Sequence, residues 1–154
     1  MAEITSSDPG VPFAIGIDIG GTKVAGGVVD ASGTVVHRAR RDTPDRSKSP
    51  QVVEDTIVSV ADELVQSVGE DHISAVGIGA AGFVAADRAT VVFAPHLSWR
   101  GEPLRERLTR RLPFRITVDN DANASAWAEY KFGAGRGESH LIMVNLGTGI
   151  AAGF

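Results

Sequence analysis

Runs of apolar residues mark three successive strands near the start of the chain. The runs 13–19 and 22–29 are apolar and flank a glycine-rich turn, which predicts a hairpin, and the run 34–41 becomes polar toward a sheet edge. Apolar residues then recur at spacings of three and four between residues 51 and 68, as on one face of a helix. Gly69 follows as a helix stop.

Short strands and helices alternate in the rest of the chain. The predicted elements are strands at 73–78, 115–118 and 141–146, a hairpin formed by 83–86 and 90–93, and helices at 102–112 and 122–132. Helices that alternate with buried strands indicate an α/β protein, in which a mixed sheet carries helices on both faces.

Two similar strand-and-turn segments lie at opposite ends of the chain. The segment IGIDIGGT (15–22) resembles IMVNLGTG (142–149): each is an apolar strand with a polar fourth residue, followed by a glycine–threonine turn. Small and apolar residues resume after both turns. We therefore expect a second domain to begin at about residue 138 and to be cut off in its second strand.

The first of these turns carries side chains suited to an oxyanion. Gly20 and Gly21 allow a sharp backbone turn that brings N–H groups close to a ligand, and Thr22 and Lys23 add a hydroxyl and an ammonium group. Asp18 could hold a metal ion or its water shell against the same phosphate. A plain hairpin with a glycine turn is the alternative.

Polar residues also open the helix at 122–132, directly after a buried strand. Asn120 or Asp121 could simply cap this helix, an effect worth about 1 kcal/mol. In the functional alternative, Asp121 is a general base that accepts a proton from a substrate hydroxyl while that oxygen attacks a phosphoryl group. Asn120 would then hydrogen-bond a polyhydroxy ligand.

Other motifs narrow the possible functions. Residues 77–82 match the pattern GxGxxG, but the following residues predict a strand and a turn instead of the helix that a dinucleotide site requires. We therefore reject a nicotinamide site and expect a loop, including Ala81 and Gly82, that lines a small-molecule pocket. His96 lies between apolar residues, where we expect a pocket rim. The sequence contains no Walker A, GxSxG or HExxH motif.

Composition and charge exclude further classes of protein and of binding site. The chain has 154 residues, about one domain, and its net charge of −4 argues against a nucleic-acid-binding face. It has no cysteine, which excludes disulfides and thiolate metal sites and agrees with a reducing cytosol. No apolar run approaches the ~20 residues of a membrane span. We predict a cytoplasmic protein without nucleic-acid or membrane partners, and a disordered tail at 1–12.

Taken together, these motifs resemble the ROK family (repressors, open reading frames and kinases), and most closely its bacterial glucokinases. The resembling segments are a first phosphate motif at 17–23, sugar-side loops at 79–84 and 93–99, the NDAN signature at 120–123 with the helix that follows, and a second phosphate motif at 146–149. The family often has asparagine where His96 stands.

The resemblance implies an actin-like ATPase (hexokinase/Hsp70, ribonuclease H-like) fold. Residues 13–137 would form its N-terminal lobe, and 138–154 would begin a truncated C-terminal lobe. The family's second half, which carries a cysteine-rich zinc motif, would be absent. Helix 102–112 carries Arg105, Arg107, Arg110 and Arg111, which we interpret as solvated surface charge.

The resemblance also implies roles for individual residues. Asp121 would deprotonate the 6-hydroxyl of glucose. The sugar would be held by Ala81, Gly82, His96, Asn120 and Asp121. Mg-ATP would be surrounded by Asp18, Gly20, Gly21, Thr22, Lys23, Gly147, Thr148 and Gly149.

Our leading hypothesis is therefore that the chain is part of a glucokinase. Such an enzyme converts glucose and ATP to glucose 6-phosphate and ADP, and we expect the full-length form to be a homo-oligomer. We expect little or no activity from this chain alone. The alternatives are a ROK kinase for N-acetylmannosamine, N-acetylglucosamine, fructose or allose, a polyphosphate-dependent kinase, and a non-catalytic sugar-binding lobe.

Overall fold

Strands dominate this computed structural model, which describes residues 12–146 and 150–153. The strands are β1 (Phe13–Ile19), β2 (Lys23–Asp30), β3 (Val35–Asp42), β4 (Ile73–Ala80), β5 (Phe83–Val84), β6 (Val91–Phe93), β7 (Arg100–Glu102), β8 (Arg115–Asn120), β9 (Met143–Leu146) and β10 (Ile150–Gly153). The helices are α1 (Pro50–Val68), α2 (Leu104–Thr109) and α3 (Asp121–Phe132), with a short 3-10 turn at Glu70–His72.

Five strands form the main sheet, in the order β3-β2-β1-β4-β8. The pairs β1–β2 and β2–β3 are antiparallel, as expected for strands joined by short turns. The pairs β1–β4 and β4–β8 are parallel, and each connection between parallel strands includes a helix. The predicted mixed α/β sheet is confirmed.

One face of this sheet is covered by α1 and α2. Ile15, Ile17 and Ile19 alternate along β1, are at most 2% exposed, and stand in register with buried residues of β2 and β4. A Cβ atom added at Gly26, on the same face of β2, would lie 2.8 Å from the side chains of Val60 and Leu64 in α1. The apolar face of α1 therefore lies directly on this side of the sheet, which we call the covered face.

The other positions of the same strands form a second face, which is partly open. Gly16, Asp18 and Gly77 point to this side and are exposed. Helix α3 packs here against the end of β4, because a Cβ atom at Gly79 would lie 3.5 Å from the Cα of Asp121. Helices thus lie on both faces, as predicted, and the part of the second face not covered by α3 is called the open face.

The region before β8 differs from its prediction. The helix expected at 102–112 covers only Leu104–Thr109, because Glu102 belongs to strand β7 and Pro103 occupies the N-cap position. Strand β7 was not predicted, since its short sequence Arg-Gly-Glu has no apolar alternation. It pairs with β6, and β6 pairs with β5 in the predicted hairpin, giving a small three-stranded sheet.

A separate antiparallel pair, β9–β10, ends the described chain. The strand predicted to follow the second glycine–threonine turn is confirmed as β10, and Gly153 packs so closely on α3 that a Cβ atom there would lie 2.5 Å from the carbonyl oxygen of Ala122. Residues 1–11 of the tail predicted at 1–12, and the turn at 147–149, lie outside the described residues. Assigning β9–β10 to a second domain stays a prediction. Within the described residues, no helix combines the length and apolar character needed to cross a membrane.

Candidate active site at the end of the parallel strands

The glycine turn between β1 and β2 is tightly closed. The Gly20 N–H donates to the Lys23 carbonyl at 2.9 Å. Thr43, after β3, braces the turn from outside: its hydroxyl donates to the Gly20 carbonyl at 2.7 Å, and its N–H donates to the Thr22 carbonyl at 3.0 Å. Gly21, Thr22 and Lys23 are exposed at the tip. The sequence assigned no role to Thr43, which it places in the polar connection at 42–50.

His96 packs against this turn. A Cβ atom added at Gly21 would lie 2.9 Å from the His96 Cβ and 3.0 Å from its Cγ, so a larger residue at position 21 would collide with the histidine side chain. The loop that carries His96 follows β6 of the small sheet. The predicted phosphate turn and the predicted pocket-rim histidine are therefore direct neighbours, a contact for which the sequence carries no local signal.

Asn120 connects the start of α3 to the loop after β4. Its Oδ1 accepts hydrogen bonds from the N–H groups of Ala122 and Asn123 at 3.0 and 3.1 Å, which confirms helix capping. Its Nδ2 donates to the Gly82 carbonyl at 2.8 Å. A hydrogen bond from the Ala81 N–H to the Ile19 carbonyl, at 3.1 Å, holds the same loop against β1. Asn120 thus positions the Gly82 loop, and a sugar contact stays a prediction.

Asp121 is the first residue of α3 and is half-buried. Its Oδ1 accepts the N–H of Ala122 at 2.9 Å, and within the described residues its Oδ2 has no hydrogen-bond donor. One oxygen is therefore held by the helix terminus while the other is available to a ligand. This is the arrangement that a general base requires.

Asp18 and Asp121 are close enough to interact electrostatically. Desolvation of the Asp18 carboxyl group, and then the negative charge of Asp121, raise the pKa of Asp18, and the Lys23 ammonium group offsets part of this shift. Within 12–146 and 150–153, no group of three or more His, Asp or Glu side chains could hold a metal ion. Asp18 could still contribute to a Mg²⁺ site, because proteins usually bind Mg²⁺ through one or two carboxylates together with ligand phosphates and waters.

The structure thus brings most of the predicted site residues to one edge of the sheet, where β1, β4 and β8 end side by side. They are Asp18, Gly20, Gly21, Thr22, Lys23, Ala81, Gly82, His96, Asn120 and Asp121. Gly147, Thr148 and Gly149, predicted to contact phosphates, lie outside the described residues.

A mixed sheet with helices on both faces and a glycine turn between its first two strands defines the class: the chain has the actin-like ATPase fold of sugar kinases. The sequence profile of the ROK family matches residues 14–154, and the chain belongs to this family.

Known glucokinases are among the proteins most similar to the chain. It is 48% identical to the glucokinase of Streptomyces coelicolor over 92% of its own length and 43% of the relative, and 34% identical to that of Thermotoga maritima over 90% and 43%. It spans less than half the length of these relatives.

Solved structures of sugar kinases are also similar to the chain. The ROK family glucokinase from Streptomyces griseus, in complex with glucose and AMPPNP, has a TM-score of 0.83 and 43% identity, over 91% of this chain and 43% of that one. The inorganic polyphosphate/ATP-glucomannokinase from Arthrobacter sp. strain KM has a TM-score of 0.79 and 34% identity, over 92% and 57%.

Proposed function

We propose that this chain forms the lobe of a ROK sugar kinase that binds glucose and the phosphates of ATP. The reaction would transfer the γ-phosphoryl group of ATP to the 6-hydroxyl of glucose. The observation that carries the proposal is the juxtaposition of Asp121, with one carboxylate oxygen available, and Asp18 beside the exposed glycine turn. The similarity to glucokinases supports glucose as the sugar.

Asp121 would act as the general base. Its available oxygen would accept the proton of the 6-hydroxyl while that oxygen forms a bond to the γ-phosphorus, and the bond from phosphorus to the ADP oxygen would break. The hydrogen bond from the Ala122 N–H to Oδ1 holds the carboxylate, and the other oxygen, Oδ2, would accept the proton.

The glycine turn would hold the phosphates. Gly21 and Thr22 offer backbone N–H groups at an exposed tip, and Lys23 adds a positive charge. Mg²⁺, which would neutralise phosphate charge during transfer, would be held by Asp18. Gly147, Thr148 and Gly149 would add a second phosphate contact.

The sugar would lie against the loop of Ala81 and Gly82. Asn120 fixes this loop through its hydrogen bond to the Gly82 carbonyl and retains one Nδ2 hydrogen for a sugar hydroxyl. His96, on the neighbouring loop, would close the rim between the sugar and the phosphate turn.

The test measures glucose-dependent ADP formation. Because the chain covers 43% of the Streptomyces coelicolor relative, the assay uses this chain completed with the part of that relative which it does not cover. We expect Asp121→Asn to lower kcat by about 100- to 10,000-fold. The control, Asp62→Asn, removes an exposed carboxylate on α1 and should retain activity. Full activity of Asp121→Asn would overturn the assignment of the base.

Two further measurements define the substrate and the activity of the chain alone. A panel of glucose, fructose, allose, N-acetylglucosamine and N-acetylmannosamine should give the highest kcat/KM with glucose. The chain alone should form little or no ADP. Binding of glucose without binding of ATP would favour a non-catalytic sugar-binding lobe.

A further inference from the structure

Two surface crevices of the lobe are lined by arginines, and their charge balance differs. The first lies along α1 and contains Arg41 and Arg111. Arg41 pairs with Glu63 at 2.6 Å and Arg111 with Asp55 at 2.8 Å, so both cations are neutralised by carboxylates that line the same crevice. This crevice has no positive charge to offer a ligand.

The second crevice has unpaired positive charge. It is lined by Arg46, Pro95, Leu97, Ser98 and Arg100. Within the described residues, neither arginine forms an ion pair, and no carboxylate lines the crevice. The neighbouring Asp45 accepts the N–H of Ser47 at 2.8 Å and offsets part of the Arg46 charge. Two cations facing one crevice favour an anion.

Arg100 is held in place by its surroundings. Its guanidinium group lies 4.0 Å from the centre of the Phe93 ring, and Nη1 donates to the Trp99 carbonyl at 2.8 Å. A stacked and partly bonded guanidinium loses less conformational entropy when it binds an anion than a free surface arginine does. The crevice therefore has one fixed cation, and the exposed Arg46 provides a mobile one.

Ser98 supplies a second, independent sign of a polar ligand. Its Oγ is buried and has no hydrogen-bond partner among the described residues. A buried hydroxyl without a partner is destabilising, and such groups are commonly satisfied by a bound water or ligand. Ser98 lines the same crevice as the two arginines, and its hydroxyl, which is closed off from solvent, would donate to an oxyanion there after a change of rotamer.

We propose that the crevice of Arg46, Ser98 and Arg100 binds an oxyanion of the phosphate class, either part of an inorganic phosphate chain or the phosphate of a phosphorylated sugar. The crevice is lined by residues on both sides of His96, which packs on Gly21, so the loop of His96 connects the crevice to the candidate phosphate turn. This site goes beyond the proposed function because it requires no phosphoryl transfer.

Isothermal titration of the 154-residue chain with sodium tripolyphosphate at fixed ionic strength tests the site. We expect saturable binding that Arg46→Gln and Arg100→Gln each weaken by about fivefold or more. The matched control, Arg41→Gln, removes the same charge from the neutralised crevice and should change Kd by less than about twofold. Lys23→Gln tests the rival location, because loss of binding in this variant alone would place the anion at the phosphate turn.

The outcomes of this titration distinguish the possible ligands and the possible binding sites. Binding of tripolyphosphate assigns the crevice to phosphate chains, whereas binding of glucose 6-phosphate with the same arginine dependence assigns it to a sugar phosphate. Absence of binding, or equal weakening by Arg41→Gln, overturns the proposal, as does loss of binding only in Lys23→Gln. If Arg100→Gln does not fold, the binding of tripolyphosphate to Arg46→Glu, a change on the exposed loop, tests the proposal in its place. None of these results depends on the kinase assay of Asp121→Asn.

Discussion

The two faces of the five-stranded sheet are built from alternate residues of the same strands, yet they differ in nearly every property. On the covered face, Ile15, Ile17 and Ile19 are buried under α1. On the open face, Gly16 and Asp18 alternate with them along β1 and are exposed. Adjacent positions of one strand therefore serve packing on one side and face solvent on the other.

This difference explains on which face of the sheet the charged residues of the candidate site can lie. A carboxylate on the covered face would be desolvated under α1, at a cost that only a paired cation could offset. On the open face, Asp18 keeps contact with solvent and Asp121 approaches it from α3. The strand ends give both faces the same rigid support, so the site gains a fixed geometry without being buried.

The largest stability effect should come from the covered face. Ile17 is 2% exposed, and Ile17→Ala should lower the free energy of unfolding by about 2–5 kcal/mol, because it leaves a cavity beneath α1. Urea unfolding measures the loss. The control Val36→Ala lies on edge strand β3, where Val36 is 42% exposed, and should cost less than about 1 kcal/mol. Equal losses would mean that burial does not distinguish these positions.

A buried ion cluster joins the helices that cover this face. Arg107 of α2 lies 2.5 Å from a carboxylate oxygen of Glu102 and 3.5 Å from one of Glu54, and both glutamates are at most 5% exposed. Arg107→Met would leave two buried carboxylates without their cation. Because the Arg107 side chain is 41% exposed and its charge is partly screened, we expect a loss of about 2–3 kcal/mol at pH 8.

The pH dependence of this loss is a further check. Desolvation raises the pKa of Glu54 even with Arg107 present. Without the arginine, the Glu54 carboxyl group would protonate more readily in the folded state, so the loss should shrink as the pH is lowered toward 5. Arg110→Met is the control on the same helix, because its partner Glu106 is exposed, and it should cost less than about 0.5 kcal/mol at either pH. A loss that does not depend on pH would contradict the conclusion that the cost comes from buried, ionised carboxylates.

A pair of glycines tests the two faces most directly. A Cβ atom at Gly26 would meet Val60 and Leu64 of α1 at 2.8 Å, whereas one at Gly16 would meet nothing within 4 Å. Gly26→Ala should therefore cost about 1–3 kcal/mol through overpacking. Gly16→Ala should be neutral or stabilising by up to about 1 kcal/mol. Thermal unfolding of both variants measures this, and a comparable cost at Gly16 would mean that the open face is covered in solution.

Local patterns predicted the main elements but not all their ends. The period of α1 and the apolar run of β1 are properties of neighbouring residues, and both predicted elements are confirmed. Strand β4 continues to Ala80, two residues beyond the prediction of 78, and β8 likewise continues to Asn120. Their backbone pairing with each other extends them. Where a strand ends depends on its partner strand, which the local sequence does not specify.

The candidate site was predicted as separate pieces. The glycine turn and the Asn120–Asp121 pair each carry a local signal, and the resemblance to the ROK family connected them. The contact of His96 with Gly21 depends on how the small sheet docks, and the burial of Glu54 depends on Arg107 in a distant helix. Neither could be predicted from spacing, because both are tertiary contacts between segments without a shared pattern.

The smallest effect, with an unusual sign, is expected at Asp18 on the open face. Partial desolvation of the carboxyl group and the charge of Asp121 raise the pKa of Asp18 above the usual value of 3.8. The folded state therefore binds the Asp18 proton more tightly than the unfolded chain does, and the associated stability is lost as the pH rises through the folded-state pKa. Asp18→Asn removes this loss, so at pH 7 the variant should match or exceed the wild type, by less than about 1 kcal/mol.

Urea unfolding at pH 4 and pH 7 checks the sign, and the advantage of Asp18→Asn should be greater at pH 7. Asp45→Asn is the control of opposite sign, because hydrogen bonds from Ser47 lower the pKa of Asp45 and its ionised form stabilises the fold. That variant should be less stable than the wild type at pH 7, with the difference decreasing toward pH 4. If Asp18→Asn also loses stability at pH 7, the ionised Asp18 carboxylate stabilises the folded state. Side chains of the open face would then contribute to stability, as those of the covered face do.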